Sequence, residues 1–413
     1  MLGLLTAALK KSAKITWGLY LLLVMGMALV SHYGPSVSQT ALGSRFRAFP
    51  VRDEPIEITA FPVEGVATPM ELDLIRQSVK PTFGPERLGG RVPTSVLLHA
   101  VRLWGDTQGF VSRAGADAGE EVRIPSIVEY LLDNREFRSR QTAGANDLLV
   151  TSRYGVRVMT FETWDPRSEN GSTHFGKLAQ VLAEAGVPAT RGVTPNDGSA
   201  ASVREIVQDD AARMVFGAEL EFVACGLSRY AADGGPWTNV GRESASFDDL
   251  ARELLDRPDG GGACGGTHRP LALVTMLRVD ESVDILPETT KKAIEQRLRK
   301  VSALLEEAQV EDGHWPWRWA LRADQSATQP IMDEDDLIAN VRIAGHHLEW
   351  MAYAPPSCRP SDECIRRAAR YLTTCWPRVT DSIDREWRGY NPATHAARAL
   401  LLLSGGRMPR IAR

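Results

Sequence analysis

The feature that most constrains the fold of this chain is an almost unbroken series of helical patterns beginning near residue 92. Apolar residues recur there at three- and four-residue steps, and turns rich in glycine, proline, aspartate or asparagine separate the segments. Only residues 150–161, "VTSRYGVRVMTF", are typical of a hairpin or a long loop. We therefore predict an all-α domain with eleven helices: Thr94–Trp104, Pro125–Phe137, His174–Ala185, Ser202–Met214, Glu219–Ala231, Phe247–Leu255, His268–Arg278, Pro287–Gln309, Asp335–Ala352, Glu363–Trp376 and Thr394–Ser404.

The spacing of these helices indicates helical hairpins stacked one after another. A Thr-His pair recurs at His174, His268 and His395, and His346-His347 occupies a fourth, related place. The separations of 94 and 48 residues lie near multiples of about 47, whereas His268 and His395 are 127 residues apart. We interpret the pattern as a repeat of helix starts that insertions have blurred.

The N-terminus has the pattern of a membrane anchor. Residues 15–30, "ITWGLYLLLVMGMALV", carry no charge, and with residues 31–33 the run approaches the ~20 residues that span a bilayer. Three lysines between residues 10 and 14 place the preceding stub in the cytoplasm and the following chain outside. The alternative is a cleaved signal peptide, although "SVS" at residues 36–38 is a poor cleavage site.

These patterns divide the chain into three parts and set the partners we expect. Residues 1–33 form the stub and anchor, residues 34–90 a Pro/Gly-rich extended tether or docking arm, and residues 91–413 the helical domain. The prediction is a single-pass bacterial membrane protein whose large domain is extracytoplasmic. A net charge of −4 provides no global basic field, so we expect no nucleic-acid partner.

The cysteines and histidines form none of the short motifs that announce a metal site. The chain has five cysteines but no Cys-x-x-Cys pair, no His-Glu-x-x-His motif occurs, and "HHLE" is too loose to count. We therefore predict no metal site and no cofactor. Cys358 and Cys364 flank a short polar loop, and both a disulfide between them and two free thiols remain open.

Residues 309–315, "QVEDGHW", fit the pattern Gln-x-x-x-Gly-x-Trp. This resembles the QW repeat of the terpene cyclase and prenyltransferase superfamily. "ACGGTHRPLAL" and "GHHLEWMA" are similar to squalene-cyclase-type domains in a membrane-anchored, planctomycete-like bacterial branch. The resemblance spans roughly residues 90–405 and implies an α/α toroid of helical hairpins behind a single N-terminal transmembrane helix. Gln309, Gly313 and Trp315 would then have a structural role at a helix end.

In such a toroid the inner helices run in the same direction, so their N-termini gather at one mouth. Thr before His fits an N-cap followed by the first helical residue, which places His174, His268, Arg269 and His395 around that mouth. The summed helix dipoles would keep these histidines neutral, able to accept protons or bind an anion or sugar. The alternative is a histidine that only bonds a neighbouring carbonyl.

If the protein is an enzyme, the catalytic candidates are a histidine base and a carboxylate partner. His268, His346 and His347 are the candidate bases. Glu349 lies three residues after His346 and shares its helix face, and Glu219 is the alternative acid.

An acidic motif follows the QW pattern. Asp333, Asp335 and Asp336 fit Asp-x-Asp-Asp and resemble the proton-donating motif of class II terpene cyclases. The shorter chain and its external location depart from those cyclases, and acids at a helix start also complement the dipole. We therefore expect a ligand-binding or scaffold module of the cell envelope, for a glycan, peptide or lipid. The alternative is a toroid enzyme acting on a glycan or a prenyl or terpenoid-type lipid.

Overall fold

Helices dominate the computed structural model, and the all-α prediction is confirmed at that level. The structure describes residues 47–79, 93–105, 110–113, 121–124, 126–139, 146–160, 174–320, 337–385 and 389–406. The helices are α1 Pro69–Ser78, α2 Thr94–Trp104, α3 Ile127–Leu132, α4 Asn134–Ser139, α5 Lys177–Glu184, α6 Val203–Arg213, α7 Glu221–Tyr230, α8 Phe247–Asp256, α9 His268–Asp280, α10 Glu288–Ala308, α11 Leu337–Tyr353, α12 Asp362–Arg385 and α13 Tyr390–Leu403.

The strands of the described chain form four antiparallel pairs and no larger sheet. The hairpin predicted at residues 150–161 is one of them. The pairs are β1 Phe110–Arg113 with β2 Glu121–Ile124, β3 Leu149–Ser152 with β4 Gly155–Val158, β5 Gly192–Val193 with β6 Ala201–Ser202, and β7 Trp237–Thr238 with β8 Ser244–Ala245.

Three differences from the predicted helices have local causes. The helix expected over Pro125–Phe137 is interrupted because Asp133 is extended and bridges to Thr194, which separates α3 from α4. α12 continues to Arg385 with Pro377 inside it, beyond the predicted end. α1 lies in the segment predicted as tether, where Thr68 and Glu71 form a capping box that starts a helix.

The predicted membrane span at residues 15–33 and the acidic motif Asp333, Asp335 and Asp336 lie outside the described residues. Within the described ranges, no helix has both the length and the apolarity needed to cross a membrane.

Residues 47–66 lie within the predicted tether, and we call them the arm. They belong to the same compact unit as the helices, Arg47–Arg413. The arm follows the ends of several helices and donates backbone hydrogen bonds to their last carbonyls, as Ile56 does to Arg229 (2.7 Å) and Val63 to Leu403 (2.7 Å). Those carbonyls have no partner inside their own helices, so the arm caps them. Its buried apolar side chains are Phe49, Ile56, Ile58, Val63 and Val66.

Six helices contact one another in a closed cycle, and we call them the ring helices. Their order around the cycle is α2, α5, α7, α9, α11, α13 and back to α2. The remaining long helices pack outside this cycle: α8 and α10 contact α9, whereas α12 contacts α11 and α13. The cycle brings helices that are distant in sequence to one centre.

Three pairs of neighbouring ring helices are parallel, because their contacts follow the same order along both helices. His268 near the start of α9 contacts His346 of α11, and Arg278 near the end of α9 donates to the Tyr353 carbonyl at the end of α11 (3.0 Å). The same order holds for Phe222–His268 with Cys225–Thr275 between α7 and α9, and for His346–His395 with Tyr353–Arg398 between α11 and α13.

The Gln309–Trp315 segment follows α10 in the chain and connects the end of α10 to the start of α12 through hydrogen bonds. Gln309 Nε2 donates to the carbonyls of Gly313 (2.8 Å) and Cys364 (2.9 Å). Fully buried Trp315 donates from Nε1 to the Leu305 carbonyl in the last turn of α10 (2.8 Å). Gly313 has φ +103°, and a Cβ there would lie 2.4 Å from the Arg367 carbonyl oxygen. Gln309, Gly313 and Trp315 therefore make structural contacts at a helix end.

Candidate functional site

A glycine-rich turn before α9 holds Cys264 close to histidines of the ring helices. Cys264 has left-handed backbone angles, φ 49° and ψ 46°, within the short 3₁₀ turn Ala263–Gly266. Gly266 has φ +79°, and a Cβ there would lie 2.8 Å from the Gly261 carbonyl oxygen, so this close turn requires glycine. Trp319 Nε1 donates to the Gly265 carbonyl (3.0 Å) and fixes the turn.

Cys264 meets two histidines at this point. His268 is the first residue of α9, and His346 reaches in from the middle of α11. The thiol sulfur and one nitrogen from each imidazole all lie within 4.8 Å of one another. The two rings are 4.4 Å apart between centroids, and both histidines are almost fully buried.

Five of the chain's eight histidines gather here, and with Cys264 we call them the central cluster. His395 stacks near His346 with 3.7 Å between ring centroids, and His99 of α2 lies 4.8 Å from His395. His174 is 6.4 Å from His268. The cluster therefore collects histidines from around the ring, including His99, which the sequence analysis did not select.

The predicted capping hydrogen bond is absent at Thr267 and Thr394, and Thr173 lies outside the described residues. The Thr267 hydroxyl makes no capping bond to α9 and instead donates to the Cys264 carbonyl (2.9 Å). Thr394 lies inside α13 and donates to the Asn391 carbonyl (2.8 Å). Of the histidines in the repeat, only His268 begins a helix.

Glu349 lies behind His346 and joins two helices of the ring. Its Oε2 is 2.9 Å from His395 Nδ1 and 3.8 Å from His346 Nδ1. The carboxylate is completely buried. His346, Glu349 and His395 form a second group whose donor atoms lie within 4.8 Å.

Two buried arginines balance two buried glutamates beside the cluster, and we call these four residues the ion network. Arg102 Nε is 2.7 Å from Glu184 Oε2, and Arg398 Nη1 is 3.1 Å from Glu349 Oε1. Cross contacts of 3.0 Å for Arg398 with Glu184 and 3.4 Å for Arg102 with Glu349 close the network. All four side chains are 3% exposed or less, so the charges must neutralise one another.

The network determines the charge of its acids. Burial alone would raise the pKa of Glu184, but Arg102 and Arg398 outweigh it and lower the pKa to about 2. The pKa of Glu349 is likewise held well below its usual range: burial opposes this, and Arg102 with His395 outweighs it. Both acids are therefore carboxylates at neutral pH.

Cys264 and His346 perturb each other. Burial would raise the pKa of the Cys264 thiol, but the interaction with His346 outweighs it and lowers the pKa. Burial would lower the pKa of His346, yet Cys264 and Glu349 together raise it. In contrast, burial and the neighbouring His346 hold the pKa of His268 well below its usual range. Cys264 and His346 therefore each stabilise the charged form of the other, whereas the surroundings of His268 favour its neutral form.

Lys177 brings a further cation to the centre. The lysine is 2% exposed, and its Nζ lies 4.6 Å from the centroid of the Phe222 ring. No carboxylate of the described chain lies within 4.0 Å of this ammonium. Burial, followed by repulsion from Arg102, lowers its pKa to about 7.

The sequence analysis selected Glu219 as a candidate acid, but the neighbouring Glu221 is the more buried of the two. Glu219 is partly exposed and pairs with His174, whose Nδ1 is 2.8 Å from Oε2. Glu221 is the buried acid, 3.3 Å from Arg269 Nη2. Arg269 also donates to the carbonyls of Pro258 and Gly261, so it braces the glycine-rich turn rather than lining an open mouth.

His347 faces away from the central cluster. It is fully buried, and its ring lies edge-on to Trp319 (4.7 Å) and Trp315 (5.3 Å). Nδ1 accepts from Trp350 Nε1 (3.2 Å), whereas Nε2 has no hydrogen-bond partner in the described chain. The structure therefore separates this candidate base from His268 and Glu349.

No protein-family model, curated protein or solved structure matches the chain. The sequence analysis missed five features of the site: Cys264, His99, Lys177, Glu184 and the arginines of the ion network. The spacing of four residues between Cys264 and His268 at a helix start was the signal for the first. For Arg102 and Arg398 the signal was a charge within an otherwise apolar helical run, "VLLHAVRLW" and "ATHAARALLLL".

Proposed function

We propose that the helical unit is an α/α toroid that binds a divalent transition-metal ion of the zinc class through Cys264, His268 and His346. The observation that carries this proposal is the meeting of one thiol and two imidazoles with all donor atoms within 4.8 Å. Thiolate and neutral imidazole are the ligands that zinc prefers. The closed cycle of parallel ring helices supports the toroid, and an experimental structure with α2 and α13 apart would contradict it.

The surroundings of His346 also suit a metal ligand. Histidines that bind metals usually give their second ring nitrogen to a carboxylate, which orients the ring. Glu349 Oε2 lies 3.8 Å from His346 Nδ1, close enough to act on the ring electrostatically but longer than a hydrogen bond, and Arg102 and Arg398 fix the carboxylate. The ion would supply Lewis acidity, and Lys177 would favour a ligand with an anionic oxygen at the remaining coordination position.

We favour a binding module over an enzyme that accepts a large substrate, because His268 and His346 are almost fully buried. The test is titration of the full-length chain with Co²⁺ after chelator treatment. We expect one equivalent and a thiolate-to-cobalt charge-transfer band, both lost in Cys264→Ser and His346→Asn.

Matched controls come from a cysteine and a histidine outside the cluster. Cys375 lies on α12 and His314 pairs with Asp312 in a loop, so Cys375→Ser and His314→Asn should bind cobalt like the parent chain. A charge-transfer band that persists in Cys264→Ser would refute the metal site.

A second candidate function is a thiol enzyme in which Cys264 is the nucleophile. The observation that favours it is the meeting of Cys264 with His346 on a left-handed turn at a helix start, where His346 lowers the pKa of the thiol. Alkylation by iodoacetamide distinguishes the two. Rapid alkylation of Cys264 that zinc does not slow supports the thiol enzyme, whereas protection by one equivalent of zinc supports the metal site.

The location of the protein is also a proposal, and it depends on the sequence of residues 1–33. We propose a single-pass bacterial membrane protein with the helical unit outside the cytoplasm. Protease added to intact spheroplasts should digest the large unit. Full protection of that unit would refute the orientation.

A further inference from the structure

A second potential ligand site lies away from the central cluster, in a groove between the β3–β4 hairpin and the end of α6. The groove has a volume of about 510 Å³ and carries three arginines: Arg153, Arg157 and Arg213. Ser152 also lines it, and Val215 and Val240 form one flank. No step of the proposed metal chemistry uses these residues.

Of the three arginines in the groove, only Arg213 has an ion pair in the described chain, a long contact with Asp209. Arg157 forms no ion pair there, and its Nε is buried without a hydrogen-bond partner. The Arg153 guanidinium stacks over the Tyr154 ring at 4.5 Å, which leaves its charge uncompensated. Arg213 Nε lies 3.7 Å from Asp209 Oδ2, beyond hydrogen-bond distance. The guanidinium donors of the groove are therefore largely unsatisfied by protein groups.

Two acids lie beneath the groove but do not neutralise it. The Asp209 carboxylate already accepts a hydrogen bond from the Ser152 hydroxyl. Asp210 is 2% exposed, and its burial next to Asp209 raises its pKa well above the usual range. Three guanidinium groups therefore outnumber the two carboxyl groups, and the groove has a net positive charge.

The flank of the groove is unusually apolar. Val215 is 52% exposed and Val240 is 37% exposed. Only three other large hydrophobic side chains of the described residues are as open to solvent: Met70, Leu74 and Val310. An apolar flank beside a cationic floor suits a ligand that joins an anionic group to carbon chains.

We propose that this groove binds the phosphate group of a phosphoester. Guanidinium groups recognise phosphate oxygens through paired, charge-assisted hydrogen bonds. The phosphate has two potential sources, a soluble phosphoester or a lipid headgroup whose chains lie along Val215 and Val240. In both cases the arginines would bind the same phosphate group.

The test is isothermal titration of the full-length chain in a non-ionic detergent at constant ionic strength. The probes are inorganic phosphate, short-chain phosphatidic acid and short-chain phosphatidylcholine. We expect saturable binding of phosphate and phosphatidic acid. Tighter binding of phosphatidic acid identifies the lipid source, and equal affinity identifies a soluble phosphoester. Absence of saturable binding by both phosphate and phosphatidic acid would overturn the proposal.

The variants separate this groove from a general effect of positive charge. Arg157→Gln should weaken phosphate binding about tenfold or more, the loss typical of a hydrogen bond to a charged group. Arg157→Lys should have a phosphate affinity between those of the parent and Arg157→Gln, since it keeps the charge but not the paired donors. Arg252→Gln removes an exposed arginine paired with Asp248 on α8 and should bind like the parent. Equal losses in Arg157→Gln and Arg252→Gln, with unchanged unfolding midpoints, would also overturn the proposal.

Discussion

Replacing Glu184 with glutamine should destabilise the protein strongly, because it removes one of the two negative charges of the ion network. Glu184 accepts from Arg102 Nε at 2.7 Å and lies 3.0 Å from Arg398, and its side chain is 2% exposed. In Glu184→Gln, two buried arginines would share only Glu349. Breaking a buried ion pair from one side typically costs ~3–5 kcal/mol.

The pKa of Glu184 gives a second estimate of the stability that the substitution removes. The arginines lower it to about 2 from the ordinary value of 4.5. At about 1.36 kcal/mol for each pKa unit, this corresponds to about 3 kcal/mol of stability. Because the folded pKa lies below the unfolded one, the contribution is complete above pH ~4.5 and is lost as the pH falls toward ~2.

Chemical denaturation followed by tryptophan fluorescence measures this effect at neutral pH and near pH ~3. The difference between parent and Glu184→Gln should be about 3 kcal/mol at neutral pH and should shrink by roughly half or more near pH ~3. Glu363→Gln is the control, since Glu363 is 58% exposed and pairs with Arg366 and Arg370 on the surface of α12. Equal effects of the two substitutions, or a difference independent of pH, would refute the role of the network.

Three further predictions concern the metal site and the helix ends. Zinc affinity should fall as the pH decreases, because His346 has a raised pKa and must lose its proton to bind; competition with a chromophoric chelator at several pH values measures this. Gly266→Ala should abolish metal binding, because a Cβ would lie 2.8 Å from the Gly261 carbonyl oxygen, and the cobalt spectrum reports it. Trp315→Ala should cost ~3–5 kcal/mol in chemical denaturation, as expected for a fully buried tryptophan.

Each of these predictions has its own control. A zinc affinity that does not change with pH would show that His346 is not a ligand. Gly261→Ala is the match for Gly266→Ala, since the nearest atom to its Cβ would be 3.7 Å away, and it should retain cobalt binding. Trp317→Ala removes a partly buried tryptophan and should cost less than Trp315→Ala. Equal costs at the two tryptophans would contradict the structural role of Trp315.

The helices were predictable because their apolar period is local information. α2 begins and ends at the predicted residues, Thr94 and Trp104. The gathering of His174, His268 and His395 also followed from the sequence, once the helices were assumed to be parallel around one axis. The break at Asp133 did not, because it depends on a bridge to Thr194 that is distant in the sequence.

The details of the site depend on contacts that a single sequence does not display. Successive helical residues point about 100° apart, so only one of His346 and His347 can face the centre, and both lie in an apolar run. Arg102 pairs with Glu184 and Glu349 across the ring, at separations of 82 and 247 residues. Cys264 depends on the turn conformation that its glycine neighbours permit.

The central claim is that Cys264, His268 and His346 hold one metal ion, and anomalous X-ray diffraction at the zinc edge tests it most directly. Crystals of the protein purified with zinc should give one strong anomalous peak inside the ring of helices. The peak should lie about 2.3 Å from the Cys264 sulfur and about 2.0–2.1 Å from one nitrogen of each histidine. Zinc-loaded crystals with no anomalous peak within bonding distance of these three residues would contradict the account.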